Sequence, residues 1–117
     1  MGHTAIAKGR YIRISPQKSR LVADLVRGKD AGEALTILNF SRRKKAAGHI
    51  SKVLNSAIAN AQVKYPNLDV DNLYISRIFV DQAPALKRFR PAPRGRGVRI
   101  LKHYAHITVC LDEREEK

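Results

Sequence analysis

The chain has 117 residues, of which 44% are hydrophobic, a length and composition that suit one domain with a small core. Lys and Arg number 23 against 10 Asp and Glu, which gives a net charge of +13 at pH 7 and predicts a polyanionic partner. The lone cysteine, Cys110, excludes an internal disulfide and suits a reducing cytosol, and no apolar run approaches the roughly 18 residues of a membrane span. We therefore predict a single domain over residues 1–117, cytoplasmic and not bound to a membrane.

The first elements are predicted to be a strand and a helix. Residues from Ala5 to Ile14 approximate the apolar and polar alternation of a strand. Ser15 has a side chain suited to an N-cap, and Pro16 suits the first helical position, so a helix is predicted from Pro16 to about Arg27, where Gly28 ends it. The apolar stripe of this helix is predicted to consist of Leu21, Val22, Leu25 and Val26.

Two further helices are predicted before the chain turns to strands. Asp30 and Glu33 have the spacing of a capping box, and the helix after them should end near Asn39. Its buried side is predicted to consist of Ala34, Leu35, Ile37 and Leu38. A third helix is predicted from Arg43 to Lys64. Its apolar positions recur every three or four residues, at Ala46, Ala47, Ile50, Val53, Leu54, Ala57, Ile58 and Ala61.

The second half of the chain has the period of two that is typical of strands. In the first run, Leu73, Ile75 and Phe79 are predicted to share one face. In the closing run, from Val98 onward, one face is predicted to carry Ile107, Val109 and Leu111, and the other Tyr104, His106, Thr108 and Cys110. The predicted fold class is α+β, with three helices packed on a three-stranded antiparallel sheet and a long projecting basic β-hairpin.

The projecting hairpin is predicted from a segment that cannot be buried. Between Gln82 and Gly97 the chain has five cations, three prolines and no acidic residue. If residues 73–90 stay extended they reach about 60 Å, whereas a compact domain of this length has a radius of gyration of about 14 Å. Since an isolated hairpin is marginal in water, an arm at about residues 78–104 should become ordered against an anionic partner.

Three groups of cations are predicted to bind RNA phosphates, because acidic residues are absent around them. The first group is Lys8, Arg10, Arg13, Lys18 and Arg20. The second lies at and along the third helix, where cations at the N-terminus oppose the helix dipole, and consists of Arg42, Arg43, Lys44, Lys45 and Lys52. The third follows the hairpin bend: Arg94, Arg96, Arg99 and Lys102. Tyr11, Phe89 and Tyr104 are predicted to offer stacking surfaces for bases.

Three stretches carry a family resemblance. They are residues 18–28 (KSRLVADLVRG), residues 56–61 (SAIANA), and the hairpin with its exit strand, where the matching residues run in order from Ile78-Phe79-Val80-Asp81 to His106-Ile107-Thr108-Val109. Together they resemble the bacterial form of large-subunit ribosomal protein L twenty-two, over nearly the whole chain.

That resemblance implies a body on the outer surface of the large subunit and a hairpin that lines the nascent-peptide exit tunnel. It implies binding to twenty-three S rRNA and a part in early assembly, with neighbouring large-subunit proteins and the nascent polypeptide as further partners. It implies no catalysis, no cofactor and no homo-oligomer. The hairpin tip, near the macrolide site in this family, would consist of Lys87, Arg88, Phe89, Arg90 and Pro91.

Other functions require residues or patterns that this sequence does not show. A free DNA-binding architectural protein would need a recognition helix or dimer symmetry, and no turn here indicates one. A cationic membrane-surface protein is disfavoured because the apolar stripes consist of alanine and short aliphatics without interfacial tryptophan. His103, His106 and Cys110 have poor spacing for a metal site, Asp69, Asp71 and Asp81 are interpreted as charge balance, and no phosphate loop or hydrolase motif occurs.

Overall fold

The computed structural model describes residues 5–83, 86–91, 97–102 and 104–113, and for residues 86–91 and 97–102 it describes the backbone alone. In chain order the helices and strands are β1 (Ala5–Ile12), α1 (Pro16–Val26), α2 (Ala31–Asn39), α3 (Lys44–Lys64), β2 (Leu73–Gln82), β3 (Leu86–Pro91), β4 (Gly97–Lys102) and β5 (Ala105–Glu113). A short 3-10 turn, Val70–Asn72, leads into β2. The predicted fold class is confirmed in its three helices and its three-stranded antiparallel sheet.

The sheet has the order β1-β5-β2, so the last strand of the chain lies in the middle, antiparallel to both neighbours. Ile107, Val109 and Leu111 of β5 are fully buried, as their predicted common face requires. Thr108 and Cys110 are also buried, because a central strand is flanked by side chains on both sides even where no helix covers it. Burial raises the pKa of the Cys110 thiol, so the thiol stays protonated near neutral pH.

A bulge in β2 changes which of its residues face the core. Ile75 lies opposite Leu111, yet Arg77 lies opposite Cys110, so β2 uses one residue more than β5 at this point. After such a bulge the alternation of faces shifts by one residue. Phe79 is therefore 41% exposed, and the prediction that it shares a face with Leu73 and Ile75 is wrong.

The helices cover one face of this sheet. The apolar stripe predicted for α3 is confirmed, with Ile50, Leu54 and Ala57 completely buried and Ile58 half-buried. The stripe predicted for α1 is only half right, since Val22 and Val26 are buried. Its two leucines lie at the surface, because α1 approaches the sheet through a face of smaller residues: Pro16, Ser19, Val22, Ala23 and Val26.

The junction between α1 and α2 depends on a glycine. Gly28 has φ +78°, the left-handed conformation that commonly ends a helix. Its N–H donates to the Ile75 carbonyl at 3.0 Å, and the Ile75 N–H donates to the Lys29 carbonyl at 2.9 Å. Asp30 is at the N-cap of α2, but its side chain makes no capping hydrogen bond, so the predicted capping box does not form. The turn instead joins α1 to the outer edge of β2.

We expect Gly28→Ala to lower the free energy of unfolding by about 1 kcal/mol, because a Cβ disfavours the left-handed conformation. No heavy atom lies within 4 Å of the position that this Cβ would take, so the loss is conformational rather than steric. Gly48→Ala is the matched control: the same added methyl, also without a neighbour, sits within α3 and should raise stability by up to about 1 kcal/mol. Urea denaturation measures both, and equal effects of the two changes would contradict this explanation.

The backbone of the predicted hairpin forms a second, two-stranded sheet. Strands β3 and β4 pair antiparallel from Leu86 opposite Lys102 to Pro91 opposite Gly97. At the body, the Ala83 N–H donates to the Tyr104 carbonyl at 2.9 Å. Residues 78–82, which were predicted as part of the hairpin, belong to β2 of the main sheet. How far the pair projects from the body stays a prediction.

Candidate RNA interface

The N-termini of α1 and α3 meet at one concave surface. It measures about 370 Å³ and is lined by Ile14, Ser15, Lys18, Arg43, Lys44, Lys45 and Ala46; we call it the helix-start concavity. Neither helix has an acidic residue in its first turn, and Arg43, the N-cap residue of α3, makes no side-chain capping hydrogen bond. The N-terminus of a helix carries partial positive charge and unpaired N–H groups. Two helix ends and four cations therefore favour an anion at the same place.

Two hydrogen bonds order the chain at the start of α3. The Arg43 N–H donates to Ser41 Oγ at 3.2 Å, and Lys44 Nζ donates to the Asn39 carbonyl at 2.9 Å. Lys44 therefore covers an end carbonyl of α2 besides adding positive charge. Arg42, Arg43 and Lys45 are exposed, as expected for side chains that bind a partner.

A second concavity brings together two cations that are distant in sequence. Lys8 of β1 and Lys52 of α3 both line a space of about 270 Å³ between these elements, beside His49. Burial, followed by the nearby Lys52 and Lys45, lowers the pKa of His49. The imidazole is therefore neutral at pH 7, and the positive charge at this place comes from the lysines.

The remaining N-terminal candidates lie at the end of β1. Arg10 is exposed on the strand, and Arg13 is exposed in the connection to α1. Between them Tyr11 adopts φ 53°, which is uncommon for a residue other than glycine. Its N–H donates to His106 Nδ1 at 3.1 Å, and the two rings meet edge to face with centroids 4.7 Å apart. Tyr11 is 57% exposed, so it remains accessible as a predicted stacking surface.

Arg20 has a structural contact that the sequence did not reveal. Its Nε donates to the Val80 carbonyl at 3.0 Å. About two helical turns further along the chain, the C-cap residue Arg27 donates its Nη2 hydrogen to the Ile78 carbonyl at 2.9 Å. Arg27 also pairs with Asp24. Both carbonyls belong to β2, an edge strand of the sheet, and unpaired edge carbonyls invite pairing with other chains. Charge patterning alone cannot distinguish arginines that bind backbone carbonyls from arginines that bind RNA. The feature that could have predicted these contacts is a basic helix next to an edge strand.

We expect Arg20→Ala to lower the free energy of unfolding by about 1 kcal/mol, a value reduced from that of a buried charged hydrogen bond because Arg20 is exposed. Lys18→Ala removes the same charge from the same helix and should change stability by less than about 0.5 kcal/mol. Thermal or urea unfolding of both variants tests this difference. Equal stability of the two variants would show that the bond to Val80 contributes nothing.

The structure describes less of the candidate residues in the hairpin than of those in the body. Lys87, Arg88, Phe89, Arg90, Pro91, Arg99 and Lys102 lie on β3 and β4, where the backbone alone is described. Arg94 and Arg96 lie outside the described residues. The pairing places Phe89 opposite Arg99 and Arg88 opposite Ile100, so cations of both strands lie along one ladder. Their contacts with RNA stay predictions.

Other kinds of site find no support among the described residues. Within that part of the chain no group of three or more His, Cys, Asp or Glu side chains could hold a metal ion. Asp69 Oδ1 accepts the Asp71 N–H at 3.0 Å, so Asp69 caps the short turn before β2. Of the helices described, none is both long and apolar enough to cross a bilayer.

Comparison with known proteins decides the family. The model of the family described as "Ribosomal protein L22p/L17e" matches residues 7–112. The chain belongs to this family. A large ribosomal subunit protein uL22 of Solibacter usitatus is 50% identical over 109 residues, which cover 93% of this chain and 96% of that protein. Its counterpart in Syntrophus aciditrophicus is 53% identical over 110 residues, covering 94% and 98%. For a member of the uL22 family, cations on the body and the hairpin are natural candidates for an RNA interface.

Proposed function

We propose that this chain is a structural, non-catalytic constituent of the large ribosomal subunit, in the cytoplasm, and that it binds large-subunit rRNA. The observation that carries the proposal is the helix-start concavity, where two helix N-termini and the cations Lys18, Arg43, Lys44 and Lys45 surround one space. Phosphate is the anion that such a surface favours. Membership of the uL22 family and the net charge of +13 support the same conclusion.

The body of the protein contacts the sugar-phosphate backbone of the RNA and does not recognise a particular base sequence. A-form RNA hides its base edges in a deep and narrow groove, so phosphates and shape are what a protein reads. The concavity with Lys8 and Lys52 is a second phosphate site on another part of α3. Two such sites hold separate rRNA segments together and reduce the repulsion between them, which assists assembly.

The hairpin formed by β3 and β4 carries the second part of the proposed function. It lines the nascent-peptide exit tunnel, with Lys87, Arg88, Phe89, Arg90 and Pro91 at the tip and Arg94, Arg96, Arg99 and Lys102 against rRNA. The absence of any acidic residue between Gln82 and Tyr104 and the antiparallel pairing of β3 with β4 support this role. Its partners are rRNA, neighbouring large-subunit proteins and the nascent polypeptide.

The test is binding of the full chain to transcribed large-subunit rRNA, with duplex DNA as competitor, at several salt concentrations. We expect rRNA to be preferred and the slope of log K against log salt to be about −5 or steeper, because each phosphate neutralised contributes roughly −0.7 to −0.9. Equal competition by duplex DNA would favour a DNA-binding architectural protein and refute the ribosomal assignment.

A further inference from the structure

An apolar groove lies on the outer side of α1 and α2. It measures about 530 Å³ and is lined by Leu21, Val22, Leu25, Ile37, Phe40, Ser41, Arg42 and Arg43. Leu21 is 48% exposed, Leu25 is 55% exposed and Phe40 is 82% exposed. These are the leucines that sequence periodicity placed in the core, and the fold leaves them at the surface. Neighbouring exposed apolar side chains of this size are typical of a binding surface.

Phe40 is held on an ordered backbone. It is the C-cap residue of α2, and its N–H donates to the Thr36 carbonyl at 3.2 Å. The next residue, Ser41, donates its N–H to the Leu38 carbonyl at 3.3 Å. These hydrogen bonds fix the position of the Phe40 Cα atom. The ring itself contributes little to the core. An exposed aromatic ring on an ordered backbone is suited to stacking.

The charge around the groove indicates what occupies it. Arg42 and Arg43 lie at one end, and no acidic residue is among the described residues that line the groove. Arg43 also lines the helix-start concavity, so the apolar surface and the cationic surface adjoin.

A nucleotide fits this pair of surfaces better than a protein segment does. A protein packed into the groove would desolvate Arg42 and Arg43 unless it supplied acidic partners, and an unpaired buried charge is strongly destabilising. RNA provides both an apolar group for the groove and an anion for the arginines, since an unpaired base presents a flat apolar face and the adjoining phosphates neutralise the cations. Proteins that recognise unpaired RNA bases stack them on aromatic side chains.

We propose that this groove binds an unpaired base of large-subunit rRNA, with Phe40 as the stacking surface and Arg42 and Arg43 at the adjoining phosphates. The inference rests on the proposed function, because it names a subsite within the same RNA interface. It adds a base contact to an interface that otherwise recognises phosphates and shape. Stacking tolerates any base, so the subsite selects an unpaired nucleotide rather than a sequence.

The experiment compares the binding of four full-length proteins to transcribed large-subunit rRNA: wild type, Phe40→Ala, Phe40→Tyr and Val63→Ala. We expect Phe40→Ala to weaken binding by about 5- to 100-fold, the range for loss of one base stack, without changing the salt slope. Phe40→Tyr keeps the aromatic face and should bind like wild type. Val63, on α3, is equally exposed at 82%, so Val63→Ala controls for the loss of any exposed apolar side chain and should have no effect.

We expect the denaturation midpoints of Phe40→Ala and Val63→Ala to equal that of the wild type, since both side chains are mostly exposed. Unchanged midpoints show that a loss of binding does not come from a loss of folding. If the wild type prefers rRNA over duplex DNA but Phe40→Ala binds as tightly as the wild type, this inference fails while the proposed function stands. If Phe40→Ala binds rRNA normally and fails only to join particles that contain other ribosomal proteins, the groove binds a protein and the inference is overturned.

Discussion

Replacing residues 84–103 with an Asn-Gly turn is expected to flatten the salt slope of rRNA binding by about 5 to 6 and to weaken binding by about 100-fold or more at moderate salt. The replaced segment holds seven cations and no acidic residue. Each cation that neutralises a phosphate contributes roughly 0.7 to 0.9 to the slope. Filter binding to transcribed large-subunit rRNA across a salt series measures both quantities.

The structure shows where to close the chain in that variant. The Ala83 N–H donates to the Tyr104 carbonyl at 2.9 Å, which makes these residues a paired end for a two-residue turn, and Asn-Gly is the preferred sequence for such a turn. β2 and β5 stay intact, so the body should remain folded. A matched control keeps the full-length hairpin but changes its seven cations to glutamine; we expect it to lose the same slope. An unchanged slope in either variant would mean that the body alone binds the polyanion.

Deleting Phe79 is expected to abolish cooperative folding. If the bulge stays, the deletion moves Val80 to an outward position and turns Asp81 towards the core. If the bulge is lost instead, Ile78 turns outward and Arg77 inward. Either arrangement exposes a buried apolar side chain and buries a charge, at a combined cost of roughly 5 kcal/mol or more, which is comparable with the whole stability of a small domain. Circular dichroism and urea denaturation report the loss.

Deleting Ser76 is the control for that change, because it shortens the same strand by the residue that forms the bulge. Ile75 and Arg77 already lie opposite adjacent residues of β5, so every later residue of β2 keeps its face. The deletion removes the hydrogen bond from Ser76 Oγ to the Cys110 carbonyl, which is 3.2 Å long. We therefore expect the free energy of unfolding to fall by only about 1 to 2 kcal/mol. A folded protein lacking Phe79, or an unfolded one lacking Ser76, would contradict the register argument.

The candidate interface was predictable from sequence in its chemistry and less so in its arrangement. Clusters of cations without acids indicate RNA wherever they fall in the fold, so an RNA-binding role for Arg42 and Arg43 can be predicted without a structure. Lys8 and Lys52 line one concavity because of how α3 crosses β1, and no local sequence pattern predicts that arrangement. Arg20 is predicted from its charge to bind phosphate, and the fold adds a role that its charge does not predict, since its Nε donates to the Val80 carbonyl of β2.

Helix ends, periodicity and composition are local properties of the chain, so the elements, their order, the clusters of cations and the family could all be predicted without a structure. Local patterns do not predict that α1 packs through Ser19 and Ala23 rather than through Leu21 and Leu25, or that the alternation of faces in β2 shifts after Ile75. Both depend on the fit between surfaces from distant parts of the chain. Close packing depends on complementary shape as well as on hydrophobicity. The small residues of α1 therefore pack against the sheet, and its larger leucines lie at the surface beside the exposed ring of Phe40.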